Sequence, residues 1–243
     1  MKQHFKRAAL STILALATTP AMAQDSDWSF AATIYLFTPE TNIGVGGVEG
    51  TLSFKDALEN LDIAFMGAFE ARNGRWGFLA DYMLTDLSFG NTTPGPANSG
   101  LNTAMKTQIF NGYASYRVYQ APTVNLDLAA GFRWFSTKTD MTLLPGRLPI
   151  RTINTNENWV DPVIGVRTQF EMSEKWSGTV FADYGGFSSD SETWQVLATA
   201  DYKITEKWVA RVGYRHISID HDLNGTPFSF DQSGPMLGVA YRF

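Results

Sequence analysis

The chain has 243 residues, a formal net charge of −5, 14% aromatic residues and no cysteine. No disulfide can staple it, and its acidic balance excludes a protein built to bind nucleic acid. No run approaches the roughly 18 consecutive apolar residues of a membrane-spanning helix.

Lys2, Lys6 and Arg7 form a basic start, residues 8–19 a short apolar run, and Ala21-Met22-Ala23 a small-residue cleavage motif before Gln24. This is the pattern of a secretory signal, too short to cross a bilayer. Residues 1–23 are expected to be removed, which takes the formal charge to −8 because three bases and no acid leave. Residues 24–243 are expected to form one all-β unit.

Beyond the signal, period-two alternation dominates. Leu126, Leu128, Ala130, Phe132 and Trp134 oppose Asp127, Ala129, Gly131 and Arg133, and Val196, Ala198, Ala200 and Tyr202 oppose Gln195, Thr199, Asp201 and Lys203. Such alternation is the signature of strands with one apolar and one polar face. About ten strands are predicted, near residues 28–38, 62–73, 75–89, 103–119, 124–138, 158–171, 175–186, 193–204, 207–219 and 229–243, with eight and twelve as the bounds. Short turns at 72–75, 120–123, 172–175 and 204–207 alternate with longer stretches at 39–61, 90–102, 139–157, 187–192 and 221–228. One end with short turns and the other with long loops is expected of an antiparallel up-and-down transmembrane β-barrel in a Gram-negative outer membrane. An even strand count puts both termini in the periplasm.

The first long stretch carries a helix signal. Ser53 and Asp56 have capping-box spacing, and Phe54, Ala57, Leu58 and Leu61 share one helical face. A short helix is expected at the barrel mouth, as loop packing or as a gate. The neighbouring residues 46–54 are an optional extra strand.

Tryptophan sorts into two rings. Trp28, Trp76, Trp176 and Trp208 open strands at the short-turn end, whereas Trp134, Trp159 and Trp194 fall near the long-loop end. Two interfacial girdles are expected, because indole is favoured at headgroup level, whereas a soluble sandwich would place Trp mid-strand. By strand parity Glu70, Arg72, Asp81, Arg117, Asp127, Arg133, Asp161, Arg167, Asp183, Asp201, Lys203, Arg211, Arg215 and Arg242 point into the lumen. In a narrow barrel, mixed charges favour a salt-bridged filling, and the alternative is a thin polar channel in which the arginines prefer small anions.

Asp220, Asp222, Asn224, Gly225 and Asp231 nearly match a calcium-binding EF-hand loop. The flanks read as strands rather than helices, and Asn224-Gly225 is a common hairpin pair, so a turn is the leading reading and a weak cation loop the alternative. No cofactor is assigned.

Leu237, Val239, Tyr241 and Phe243 alternate up to a terminal Phe, which resembles the last strand of Gram-negative outer-membrane barrels. That resemblance implies recognition by the barrel-assembly machinery through the strand ending at Phe243. Trp159-Val160-Asp161-Pro162-Val163-Ile164-Gly165-Val166-Arg167, Asp183-Tyr184-Gly185-Gly186-Phe187, Gly213-Tyr214-Arg215 and Gly234-Pro235 resemble a group of uncharacterised proteobacterial outer-membrane β-barrel proteins. The resemblance implies the barrel and its location, and it carries no activity.

Two enzyme classes have partial counterparts in the chain. His221-Asp222 lies in the region where omptin-type proteases carry their histidine, but no matching carboxylate pair precedes it. His216-Ile217-Ser218 resembles the His-x-Ser of lipid A deacylases, with His as base and Ser as nucleophile. Ile219 stands where that family has Asn, and no Glu follows Glu206 to orient the ring, which leaves Asp220 for that role. The expectation is a non-enzymatic barrel with a structural, surface-interaction or small-solute channel role, surrounded by outer-membrane lipid and lipopolysaccharide, with a lipid A deacylase using His216 and Ser218 as a further alternative. Its external ligand is not named by the sequence.

Overall fold

A computed structural model describes residues 28–91 and 97–243; the expected signal at 1–23 lies outside the described residues. The elements in order are β1 (Trp28–Phe37), β2 (Glu40–Val45), β3 (Val48–Leu52), α1 (Phe54–Glu59), β4 (Leu61–Asn73), β5 (Trp76–Asn91) and β6 (Asn98–Gln120). There follow β7 (Val124–Pro145), β8 (Arg151–Glu171), β9 (Trp176–Gly185), β10 (Ser191–Lys203), β11 (Trp208–Asp222) and β12 (Pro227–Arg242). β1 and β4 to β12 are the ten staves of a closed antiparallel barrel, sealed where β1 pairs with β12. Phe30 and Phe243 exchange backbone hydrogen bonds across that seam.

The wall is built as the alternation demands. Ile34, Phe65, Leu128, Val160, Ile164 and Leu237 face outward and are exposed, while Thr33, Tyr35, Asp127, Arg133, Asp161 and Met236 alternate with them and are buried. An apolar exterior with a polar interior reverses the soluble pattern and is the arrangement a bilayer selects.

The strands are longer than the alternation of apolar residues suggests. β6, β7 and β8 run for 23, 22 and 21 residues, well beyond the roughly 9–11 that cross a bilayer. Residues 139–157, expected as a loop, are mostly ladder: β7 and β8 stay in register to Leu143↔Arg151. Thr137, Thr139, Thr142, Thr152 and Thr155 explain this, because β-branched polar residues sustain a strand whose two faces both meet water. The stretch 90–102 is likewise partly strand, with residues 92–96 outside the described set.

The segment between β1 and β4 contains two elements. β2 and β3 form a hairpin that continues the wall against β12, so the optional strand near residues 46–54 is real. Gly234 permits this: a Cβ there would meet Thr38 O at 2.4 Å. α1 is capped as its sequence requires. The Ser53 hydroxyl accepts from Asp56 N at 3.2 Å and donates to Asp56 Oδ2 at 2.7 Å.

Candidate functional site: a filled lumen and its two ends

Ten staves leave an interior wider than aliphatic side chains alone fill neatly, and this sequence fills it with paired charges. At the short-turn end, Asp127 accepts from Arg72 at 2.5 Å and from Arg117 at 2.8 Å, and Arg117 reaches on to Gln169. Arg167 forks onto Glu70 at 2.8 and 2.9 Å, and Arg211 onto Asp201 at 2.7 Å through both arms. These ion pairs line a vestibule of about 440 Å³ that opens at this end.

The middle layer is more densely bonded, around a cavity of about 70 Å³ lined by Tyr35, Asp81, Tyr113, Gln195 and Arg215. Arg133 donates to Asn111 at 2.8 Å, Thr193 at 2.5 Å and both oxygens of Asp183 at 2.9 and 3.0 Å. Asp183 also accepts from Tyr113 and Gln195. Arg215 bridges Asp81 at 2.9 Å and Gln195 at 2.7 Å, and Asp81 accepts further from Tyr35 and Asn111. Arg133 and Asn111 are 0% exposed. A guanidinium in such a place is tolerated only when its donors are met by charge-assisted bonds, which the fork geometry of arginine supplies.

Above this layer Asp161 accepts from Ser191 at 2.6 Å and from the indole of Trp159 at 3.1 Å. An apolar cluster then closes the bore, with Phe37, Ile109, Phe135, Ile217, Ile219 and Phe230 all nearly inaccessible. Outermost lies a cavity of about 550 Å³ rimmed by Glu49, Asp190, Glu192, Asp220 and Asp222.

The structure brings together twelve of the sequence-derived lumen charges: Glu70, Arg72, Asp81, Arg117, Asp127, Arg133, Asp161, Arg167, Asp183, Asp201, Arg211 and Arg215. Lys203 instead pairs with Glu206 in the adjoining turn, and Arg242 edges the vestibule, exposed. The sequence reading marks Gln195 only as a polar-face residue and does not single out the other uncharged connectors, Tyr35, Asn111, Tyr113 and Thr193. They share the inward parity of the charges, and that signal was available.

Trp28, Trp76, Trp176 and Trp208 face outward at the short-turn end, the last three against Tyr116, Tyr202 and Tyr241. Trp134 and Trp194 face outward towards the other end. Trp159 does not join them, which corrects its place in the outer girdle. It has the parity of Asp161, turns inward and stacks on His221 at 4.2 Å with the rings 7° from parallel.

Residues 220–231 form a hairpin. Asn224 and Gly225 adopt positive φ of 56° and 88°, and Asp222 accepts from Gly225 N. Among the described residues, no cluster of three or more His, Cys, Asp or Glu could hold a metal. His216 is on the outer wall, but the hydroxyl that its Nδ1 meets, at 2.5 Å, belongs to Ser233 on β12, and its ring lies against Trp194. Ser218 is buried and lies opposite Asp231 in the β11–β12 register.

An even, closed, antiparallel barrel with an apolar exterior and a charged interior defines the class: the fold is that of the outer-membrane β-barrels. The chain is similar to the outer membrane protease OmpT of Escherichia coli, with 12% identity over 90% of this chain and 98% of that one and a TM-score of 0.57. It is more distantly similar to the attachment invasion locus protein Ail of Yersinia pestis (11% identity, 90% and 99% covered, TM-score 0.40) and to Neisserial surface protein A (14% identity, 90% and 98% covered, TM-score 0.39). No family model and no curated relative matches the chain.

Proposed function

We propose that this protein is a non-catalytic, integral outer-membrane barrel with a sealed interior, acting through its outer rim and wall rather than as a pore. The observation that carries this reading is the stack of Arg133, Arg215 and their partners beneath the Phe135–Phe230 cluster. Every arginine in that layer is bonded to a carboxylate, which leaves no free cation to attract a permeating anion. The narrow anion-preferring pore is therefore disfavoured. In this reading both termini are periplasmic, the barrel-assembly machinery engages the last strand, and outer-membrane lipid surrounds the wall.

The orientation has a direct test, because the chain has no cysteine of its own. Single cysteines at exposed Arg147 or Asn224 are expected to react with a membrane-impermeant maleimide on intact cells. Cysteines at exposed Glu174 or Glu206 are expected to react only after the outer membrane is opened. The reverse pattern would overturn the orientation, and labelling of all four on intact cells would overturn the sealed outer-membrane placement.

A further inference from the structure

The wall of the barrel is not equally tall all round. β9 ends at Gly185, and the chain turns away at Gly186 and Phe187, whose φ values are 89° and 51°. β8 pairs with β9 only from Glu171↔Ser177 to Val163↔Gly185, whereas it stays with β7 as far as Leu143↔Arg151. The part of β8 from Arg151 to Asp161 therefore has a strand on one side and, among the described residues, none on the other. This free edge rises from the long-loop end, where residues 151–156 are all exposed.

The edge is ready to pair. A strand residue directs its N–H and C=O to the same side. Pro162 O accepts from Gly186 N on the β9 side, and Glu171 N donates to Thr123 O on the β7 side. Even-numbered residues thus face the free edge, so Thr152, Asn154, Asn156 and Asn158 hold out backbone groups that no strand meets. Exposed edges are ordinarily blunted by lysine, proline, a bulge or shortness. From Arg151 to Asp161 there is no lysine and no proline, and the register with β7 has no bulge.

The segment is also complementary to itself. Arg151 and Glu157 have the same parity and belong to no ion pair among the described residues. Two antiparallel copies centred on Asn154 set Arg151 against Glu157 twice, Thr152 against Asn156 twice and Asn154 against its counterpart, with the free backbone groups opposed. A parallel pairing in register opposes like charges instead, Arg151 to Arg151 and Glu157 to Glu157, which is destabilising. β8 runs from the long-loop end towards the short-turn end, so copies in one membrane run parallel. The antiparallel pairing takes an inverted copy.

We propose that the open edge of β8 is a homotypic docking site, at which residues 151–157 pair with the same segment of a second copy anchored in a facing membrane. This rests on the reading of the barrel as a membrane protein whose long-loop end faces outward. It deepens that reading by naming the surface and the partner. So short a strand pairing is a weak contact by itself, and many copies on each membrane act together.

The test uses the protein purified from membranes and placed in two populations of phosphatidylcholine vesicles, one with a donor lipid dye and the other with an acceptor. Docking is read as energy transfer between the populations, and every variant is first checked for heat-modifiable migration. Vesicles carrying the unaltered barrel are expected to dock. Asn154→Pro removes an N–H from the free edge alone and leaves the β7 ladder whole, and it is expected to lower docking several-fold. Arg151→Glu and Glu157→Arg are each expected to abolish docking, because each sets like charges against one another. Arg151→Glu vesicles are expected to dock with Glu157→Arg vesicles, and the double variant is expected to dock with itself. Folded, inserted barrels that do not dock, that dock equally well with Asn154→Pro, or that the charge exchange fails to restore overturn the homotypic site and leave the membrane reading intact. A barrel that salt strips from the vesicles overturns the membrane reading beneath it.

Discussion

Arg133 is the residue on which the interior depends most. Its guanidinium is fully buried and serves Asn111, Thr193 and Asp183 together, so its removal strands several polar groups at once. Breaking a buried pair costs about 3–5 kcal/mol, because the partner charge is left uncompensated. Arg133→Ala is expected to lower the urea midpoint of the vesicle-inserted barrel accordingly, and an unchanged midpoint would mean that the pair is not dry. The charged members of this layer were legible as inward residues by parity alone. Their pairing was not, because Asp183 is 50 residues from Arg133 and sequence gives no measure of which rotamers meet across a bore. Trp159 illustrates the same point from the other side. Its proximity to the long-loop end suggested an interface residue, yet its parity with Asp161 placed it inside, where its indole bonds that carboxylate.

Strands and caps were more legible than lengths. The Ser53–Asp56 spacing located α1, and its cap forms as the spacing requires. Ser53→Ala is expected to weaken the helix by about 1 kcal/mol. The readout is faster proteolysis within residues 53–60 at an unchanged melting temperature of the barrel; equal proteolysis of both forms would show the helix held by packing alone. The long ladder of β7 and β8 was the least legible element. A loop and a strand wetted on both faces have similar composition, and the apolar alternation that marks a strand stops where the bilayer does. Replacing residues 141–153 with Asn-Gly is therefore expected to leave a folded barrel with heat-modifiable migration, because the removed ladder lies outside the membrane. Loss of that migration would show that the extension is needed for closure.

For the molecule as a whole, the exterior and interior carry opposite instructions. The outward positions supply the apolar belt that lipid requires, and the inward positions supply charges that only each other can satisfy. This division was readable from the alternation, from the turn asymmetry and from the tryptophans at the short-turn end. The filling of the bore was the part that parity could not decide, since a row of inward arginines serves a channel as well as a plug until its partners are known. In the proposed reading the partners make it a plug: the Arg133–Arg215 layer and the aromatic cluster above it lie between the vestibule at the short-turn end and the acidic cavity at the rim. Single-channel recording of the reconstituted protein in a planar bilayer tests this most directly. A correctly folded barrel is expected to be electrically silent across a range of salt concentrations. Steady, discrete openings with anion preference would contradict the account and would mean that the arginine layer conducts.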